Sequence, residues 1–118
     1  MSREVELLLL DILDASRKIE DWTRSMEFAD FSSRGMAYSA VLRELIVIGE
    51  ATKQIPEGTR ARAPDVPWRE LAGLRDVVAH QYFGLQDATL WSIVRDEIPV
   101  IRLAVESLQG PDHSSVTG

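Results

Sequence analysis

Apolar residues recur along this chain in alternating steps of three and four, the spacing of a helix with one buried stripe. From Arg3 to about Met26 the stripe is Val5, Leu8, Ile12, Ala15, Ile19, Trp22 and Met26, widened by Leu9 and Leu13. Ser2 is placed to cap it. Glu27 to Ser33 breaks the pattern and predicts a loop or turn, with Ser32 or Ser33 available to cap the next helix. That helix runs from about Arg34 to Ile55 on a stripe of Tyr38, Val41, Leu45, Ile48, Thr52 and Ile55, with Leu42, Ile46 and Gly49 beside it. Glycine inside a helix costs about 1 kcal/mol relative to alanine, so Gly49 signals close packing of a neighbouring helix. Pro56 ends the element.

Glu57 to Val66 has room for one short helical turn. Its Arg60 and Arg62 form either a basic lip over a site or part of a solvated connector, and the sequence alone favours the connector. Pro67 to Gly84 predicts a further helix, with proline suited to its first position and glycine to its end. Trp68, Leu71, Leu74 and Val78 face a core from it. After a Phe83-Gly84-Leu85 turn, Asp87 can cap a last long helix reaching Leu108, with Leu90, Val94, Ile98, Ile101, Val105 and Leu108 inward. Pro99 lies inside this helix, which predicts a kink or break near Asp96. Gly110 to Gly118 has the composition of a disordered tail, and His113 is discounted with it.

Those elements predict an all-α fold, an antiparallel bundle of four to five helices with a kinked last helix. One domain is expected over 1–109, followed by a tail over 110–118. The stripes are broad enough that Leu9, Leu10 or Trp91 is expected to fall outside a single-chain core and favour a homodimer.

Charge narrows the function. The 118 residues carry 13 basic and 19 acidic side chains, a net charge of −6. That balance argues against indiscriminate nucleic-acid binding, which runs on phosphate neutralisation, but leaves room for a local basic site. Eleven of the basic residues are arginine, the better bidentate phosphate ligand, although a compositional bias explains the count equally well. There is no cysteine, hence no disulfide framework and no thiolate metal site. Apolar runs such as Leu7 to Leu10 are far too short to span a membrane, and flanking acidic residues rule that run out as a signal peptide. A cytoplasmic location is expected.

The chemistry left over is concentrated between Arg75 and Tyr82. No metal-ligand spacing, phosphate-cradling glycine loop or nucleophile elbow is present, so neither a metal nor a cofactor is expected. Asp76 and His80 are four apart and share a helical face. Arg75 and His80 are five apart and diverge by about 140° on one helix. A second copy across a two-fold axis would bring arginine and histidine into one cleft able to hold a phosphodiester. Arginine would stabilise transition-state charge there, and histidine would take or give a proton. On RNA the 2′-hydroxyl is a built-in nucleophile. Read without that second copy, Asp76 and His80 are a surface pair and Tyr82 a packing residue.

Arg75-Asp76-Val77-Val78-Ala79-His80-Gln81-Tyr82 resembles the Arg-x4-His-x-Tyr motif of HepT-like toxins in the HEPN superfamily. The resemblance extends to Ile48-Gly49-Glu50-Ala51-Thr52-Lys53, to Pro67-Trp68-Arg69-Glu70, to Tyr82-Phe83-Gly84 and to Trp91, and so covers roughly Leu7 to Leu108. It implies a dimeric helical bundle and a metal-independent endoribonuclease acting on RNA such as tRNA or mRNA. Arg75 and His80 would be the catalytic pair, with Asp76 orienting one of them. It further implies a type VII-like toxin–antitoxin pair, in which an MntA-like nucleotidyltransferase transfers AMP to Tyr82. That would place anionic phosphate beside the cleft, where it occupies Arg75 and repels RNA. Glu50 either approaches the cleft or pairs with an arginine such as Arg43 or Arg69. Two other readings stay open: a non-catalytic helical binding subunit of a minimal nucleotidyltransferase, and a plain dimeric interaction domain.

Overall fold

A computed structural model of the chain describes residues 1–81 and 87–117, with side chains described at 1–80 and 87–109. Among these residues every regular element is helical. α1 (Arg3–Thr23), α3 (Met36–Lys53) and the run formed by α7 (Asp87–Ser92), a π-helical turn (Ile93–Glu97) and α8 (Ile98–Thr117) are the long members. The short helices α2 (Phe28–Ser32), α4 (Glu57–Ala61), α5 (Trp68–Ala72) and α6 (Leu74–Gln81) connect them.

α1 is the central rod, with α3 packed on one side and α8 on the other. Its start is fixed by Ser2, whose Oγ accepts the Val5 N–H at 3.2 Å, and by Glu4 and Glu6 in the positive first turn. α8 runs antiparallel to it, because Arg17 pairs with Glu106 while Glu20, further along α1, pairs back to Arg102. The α3 stripe is buried as its spacing predicts, from Tyr38 to Ile55. So is the last stripe, from Leu90 to Leu108.

The α1 stripe is centred one position away from the expected line. Leu9 is fully buried, so it is not among the residues left outside the core, while Leu10 is exposed and Trp91 half-buried. Trp22 faces outward and Thr23 inward. Thr23 Oγ1 donates to the Ile19 carbonyl at 2.7 Å and Ser16 Oγ to the Ile12 carbonyl at 2.7 Å. Each hydroxyl is satisfied within its own helix, so it buries without an unpaired donor.

Three connections differ from the sequence expectation. The predicted loop after Met26 contains α2, started where the Glu27 N–H donates to Asp30 Oδ2 at 2.9 Å. α3 is preceded by Gly35 at its N-cap rather than by a serine. The helix expected from Pro67 onward is two helices, since Gly73 closes α5 before α6 begins. The irregularity expected near Asp96 is present as the π-helical turn Ile93–Glu97, which carries the chain into Pro99 without a full break. Immediately before it the helix widens by one residue per turn, and Ile98 N–H bonds to the Ile93 carbonyl. Such π-turns accommodate an interrupted hydrogen-bond ladder. The bounds of α8 are Ile98–Thr117.

Candidate functional site

The site is built where α3 meets the α5–α6 junction. A Cβ on Gly49 would lie 3.1 Å from the Leu71 carbonyl oxygen and 3.3 Å from Leu74 Cβ. The bare glycine therefore lets the two helices touch backbone to backbone, as its position predicts. Glu50 follows Gly49 and Arg75 follows Leu74, so the same contact carries an acid and a base to one another. Arg75 Nη1 donates to Glu50 Oε1 at 2.9 Å, and Lys53 Nζ lies 3.3 Å from Glu50 Oε2. Lys53 first, and Arg75 after it, hold the Glu50 carboxyl below its usual range.

Glu50 thus does both things open to it in the sequence. It pairs with an arginine, but with Arg75 rather than Arg43 or Arg69, and it does so inside the candidate site. The Arg75 side chain remains 64% exposed, so most of its donor fork still faces solvent.

Asp76 and His80 are exposed on the same helix, α6. Among the described residues no hydrogen bond or ion pair joins Asp76 to His80 or Arg75, or His80 to Arg75. Tyr82 and the Phe83-Gly84-Leu85 turn lie outside the described residues, as does the His113 side chain.

Arg60 is a structural cap. Its guanidinium donates to the Thr52 and Ile55 carbonyls at 2.7 and 3.1 Å, satisfying the open end of α3. Trp68 Nε1 donates to the Ala63 carbonyl at 2.9 Å and fastens the connector to α5. Arg62 is exposed. No described helix is long and apolar enough to cross a membrane, and no three described His, Asp or Glu residues gather as metal ligands.

Sequence reasoning missed a second cluster next to this site. Arg34 Nη2 and Nε donate to Asp87 Oδ1 and Oδ2 at 3.0 and 3.2 Å, and Tyr38 Oη donates to Asp87 Oδ1 at 2.8 Å. Arg34 has a left-handed backbone, φ 59°, a conformation costing about 1 kcal/mol in a non-glycine residue. The cluster ties the α2–α3 corner to the first residue of α7. Nothing in the local sequence of Arg34 points to a partner 53 positions away.

A family model for HepT-like ribonucleases matches residues 12–108, a span that holds Gly49, Glu50, Arg75 and His80. The chain belongs to the HepT-like ribonuclease family. Full-length relatives agree. A candidate RNase of Methanocaldococcus jannaschii is 38% identical over 88% of this chain and 95% of its own length. A second from the same organism is 39% identical over 97% and 98%. A candidate ribonuclease HepT of Thermococcus cleftensis is 39% identical over 92% and 99%. No solved structure matches the chain significantly. Within the family span, the Gly49–Leu74 contact gives a physical reason for the Gly-Glu-Ala segment: it seats a carboxylate against the motif arginine.

Proposed function

We propose that this protein is the toxin of a toxin–antitoxin pair, a metal-independent endoribonuclease that acts in the cytoplasm. Its site is a homodimer cleft holding two copies each of Arg75 and His80, and it is neutralised by AMP transfer to Tyr82. The observation that carries this reading is an exposed arginine, fixed by Glu50, on the same short helix as an exposed histidine, in a chain of a ribonuclease family.

The chemistry follows from those groups. One His80 accepts the proton of an RNA 2′-hydroxyl as its oxygen attacks the adjacent phosphorus. The P–O5′ bond breaks, and the second copy of His80 returns a proton to the departing oxygen. The products are a 2′,3′-cyclic phosphate and a 5′-hydroxyl. Arg75 donates to the phosphoryl oxygens, where negative charge builds in the transition state. Glu50 limits the rotamers of Arg75, so less side-chain freedom is lost when phosphate arrives. Asp76, which among the described residues is bonded to neither Arg75 nor His80, takes the role of orienting one of them once the cleft forms. In the neutralising step, catalysed by an MntA-like nucleotidyltransferase, the Tyr82 oxygen attacks the α-phosphorus of ATP, the phenolic proton is lost to a base or to solvent, and pyrophosphate leaves.

The test is cleavage of labelled RNA, tRNA included, by protein whose intact mass shows no added AMP, in excess chelator. Arg75→Ala and His80→Ala are each expected to lose about 10²- to 10⁴-fold in rate. Absence of cleavage by the folded, unmodified dimer across varied RNAs would instead support a non-catalytic binding subunit of the nucleotidyltransferase.

A further inference from the structure

An endonuclease must hold the strand on either side of the bond it cuts, and this chain is acidic overall. One part of its surface departs from that balance. A groove of about 610 Å³ runs along α3 beside the motif helix, lined by Arg34, Tyr38, Ser39, Leu42, Arg43, Ile46, Val47 and Val78. Among the described residues its lining carries two arginines and no carboxylate, although Asp87 stands behind Arg34 and Tyr38 and leaves Arg43 as the unneutralised cation. Four other grooves of the described surface each include at least one carboxylate, such as Glu70 and Glu97 in one of them.

The groove is continuous with the candidate site. Val78 lies on α6 between Arg75 and His80 in sequence. On α3, Arg43, Val47 and Glu50 fall at steps of four and three, one face of the helix. Arg43 and Glu50 are seven positions apart, about 10 Å along the axis. The two arginines are not equivalent. Arg34 is engaged by Asp87, whereas Arg43 is exposed and has no hydrogen bond or ion pair among the described residues. The floor between them is aliphatic, with Val47 36% exposed.

We infer that this groove binds the single-stranded RNA flanking the scissile phosphate, with Arg43 on a neighbouring phosphate and an unstacked base against Leu42, Ile46 and Val47. This rests on the ribonuclease reading and adds a subsite to it. The charge complementarity fits a polyanion, and an aliphatic floor contacts any base without reading its edges, so the subsite tolerates sequence. An unpaired strand suits it, because RNA bases become accessible to side chains when splayed out of a helix.

The test uses an unstructured, labelled RNA oligonucleotide and unmodified protein. Binding is measured in the His80→Ala background and turnover in the wild-type background. Arg43→Glu is expected to weaken RNA binding and raise KM about tenfold with kcat unchanged. Arg43→Ala should lower the slope of log affinity against log salt by about 0.7, one single-strand phosphate contact. Val47→Glu, which puts a carboxylate into the groove without removing a cation, should weaken binding comparably, and Leu103→Glu on α8 should not. Unchanged affinity and KM in Arg43→Glu and Val47→Glu, while the wild type cleaves, would overturn the subsite and leave the ribonuclease reading standing. RNA binding that depends on Arg43 without any cleavage by the wild type would do the reverse. A change of molecular mass by light scattering in Arg43→Glu would also overturn the inference, marking the groove as an interface between copies.

Discussion

Two clusters of arginine and glutamate stand on opposite sides of this molecule, and they are balanced differently. Between α1 and α8, Arg17 and Arg102 meet Glu20 and Glu106, two cations with two carboxylates. Arg102 donates to both glutamates, and its side chain is only 26% exposed. Between α3 and α6, Arg75 and Lys53 share the single carboxylate of Glu50, and Arg75 is 64% exposed. The first cluster is neutral, half-buried and joins the two ends of the chain. The second keeps one positive charge in excess, open to solvent on a short helix. A neutral cluster centred on the half-buried Arg102–Glu20 pair serves packing, whereas an exposed excess charge with a positioned donor fork is available for an anion.

That contrast predicts a double dissociation. Arg75→Ala should abolish at least about 99% of RNA cleavage and leave the melting temperature within about 1 °C, because exposed pairs contribute little stability. Arg102→Ala should leave kcat unchanged and cost about 1–2 kcal/mol, since the partly buried Glu20 loses its partner while Glu106 keeps only Arg17. Calorimetry and initial rates on the two variants decide it. Equal losses of stability in both would erase the distinction between the clusters.

A smaller effect probes how the positive excess is held. Glu50→Ala leaves Arg75 charged but unanchored, and is expected to lower kcat about tenfold through lost orientation. Glu50→Gln keeps an acceptor and should restore most of that rate. If removing the carboxylate instead raised kcat, Glu50 would be a competitor for the phosphate and not its positioning partner. Beneath both lies Gly49. Alanine there gains helix propensity worth about 1 kcal/mol, but its Cβ would press on a backbone carbonyl that cannot rotate away. Overpacking of this kind costs about 1–3 kcal/mol. Gly49→Ala should therefore destabilise by about 1 kcal/mol net and cut cleavage several-fold, by moving Arg75 with α6. A variant that melts higher and cleaves normally would show that the close approach is not needed.

The difference between the clusters was only partly legible in the chain. The motif spacing places Arg75, Asp76 and His80 on one helix, and Gly49 marks the close approach, because a helix-interior glycine has few other reasons to be there. The α3 and α8 stripes are readable because every member is hydrophobic or, at Thr52, sits on the line. What pairs with Arg75 was not readable: Glu50 is 25 positions away, and several arginines fitted it equally well. Thr23 replaces Trp22 on the buried face because a hydroxyl bonded to its own helix behaves as an apolar group, which hydropathy cannot register. Gly73 divides the motif helix, and that signal was present in the sequence but outweighed by the regular spacing of Trp68, Leu71, Leu74 and Val78.

A third group of carboxylates completes the comparison, because among the described residues none of its members has an ion-pair partner. Glu97, in the π-helical turn before Pro99, lines the groove that also holds Glu70, Leu74 and Val77. Burial, together with the charges of Glu70 and Asp96, pushes its carboxyl above the ordinary value. Glu50 and Glu106 are held below theirs by their basic partners. The signs follow by linkage. A carboxyl held low in the folded state adds stability above its unfolded pKa, and loses it as pH falls through the folded value. A carboxyl held high penalises the fold while ionised, and the penalty is relieved as pH falls through its folded value. Glu97→Gln should therefore raise the melting temperature at pH 7 by about 2 °C, and the gain should vanish near pH 4, where Glu97 is itself protonated. Glu106→Gln should do the opposite, lowering the melting temperature at pH 7 and converging on the wild type in acid. Thermal melts of both variants at the two pH values test the pair. A gain for Glu97→Gln that persisted unchanged into acid would mean that shape rather than charge decides that position.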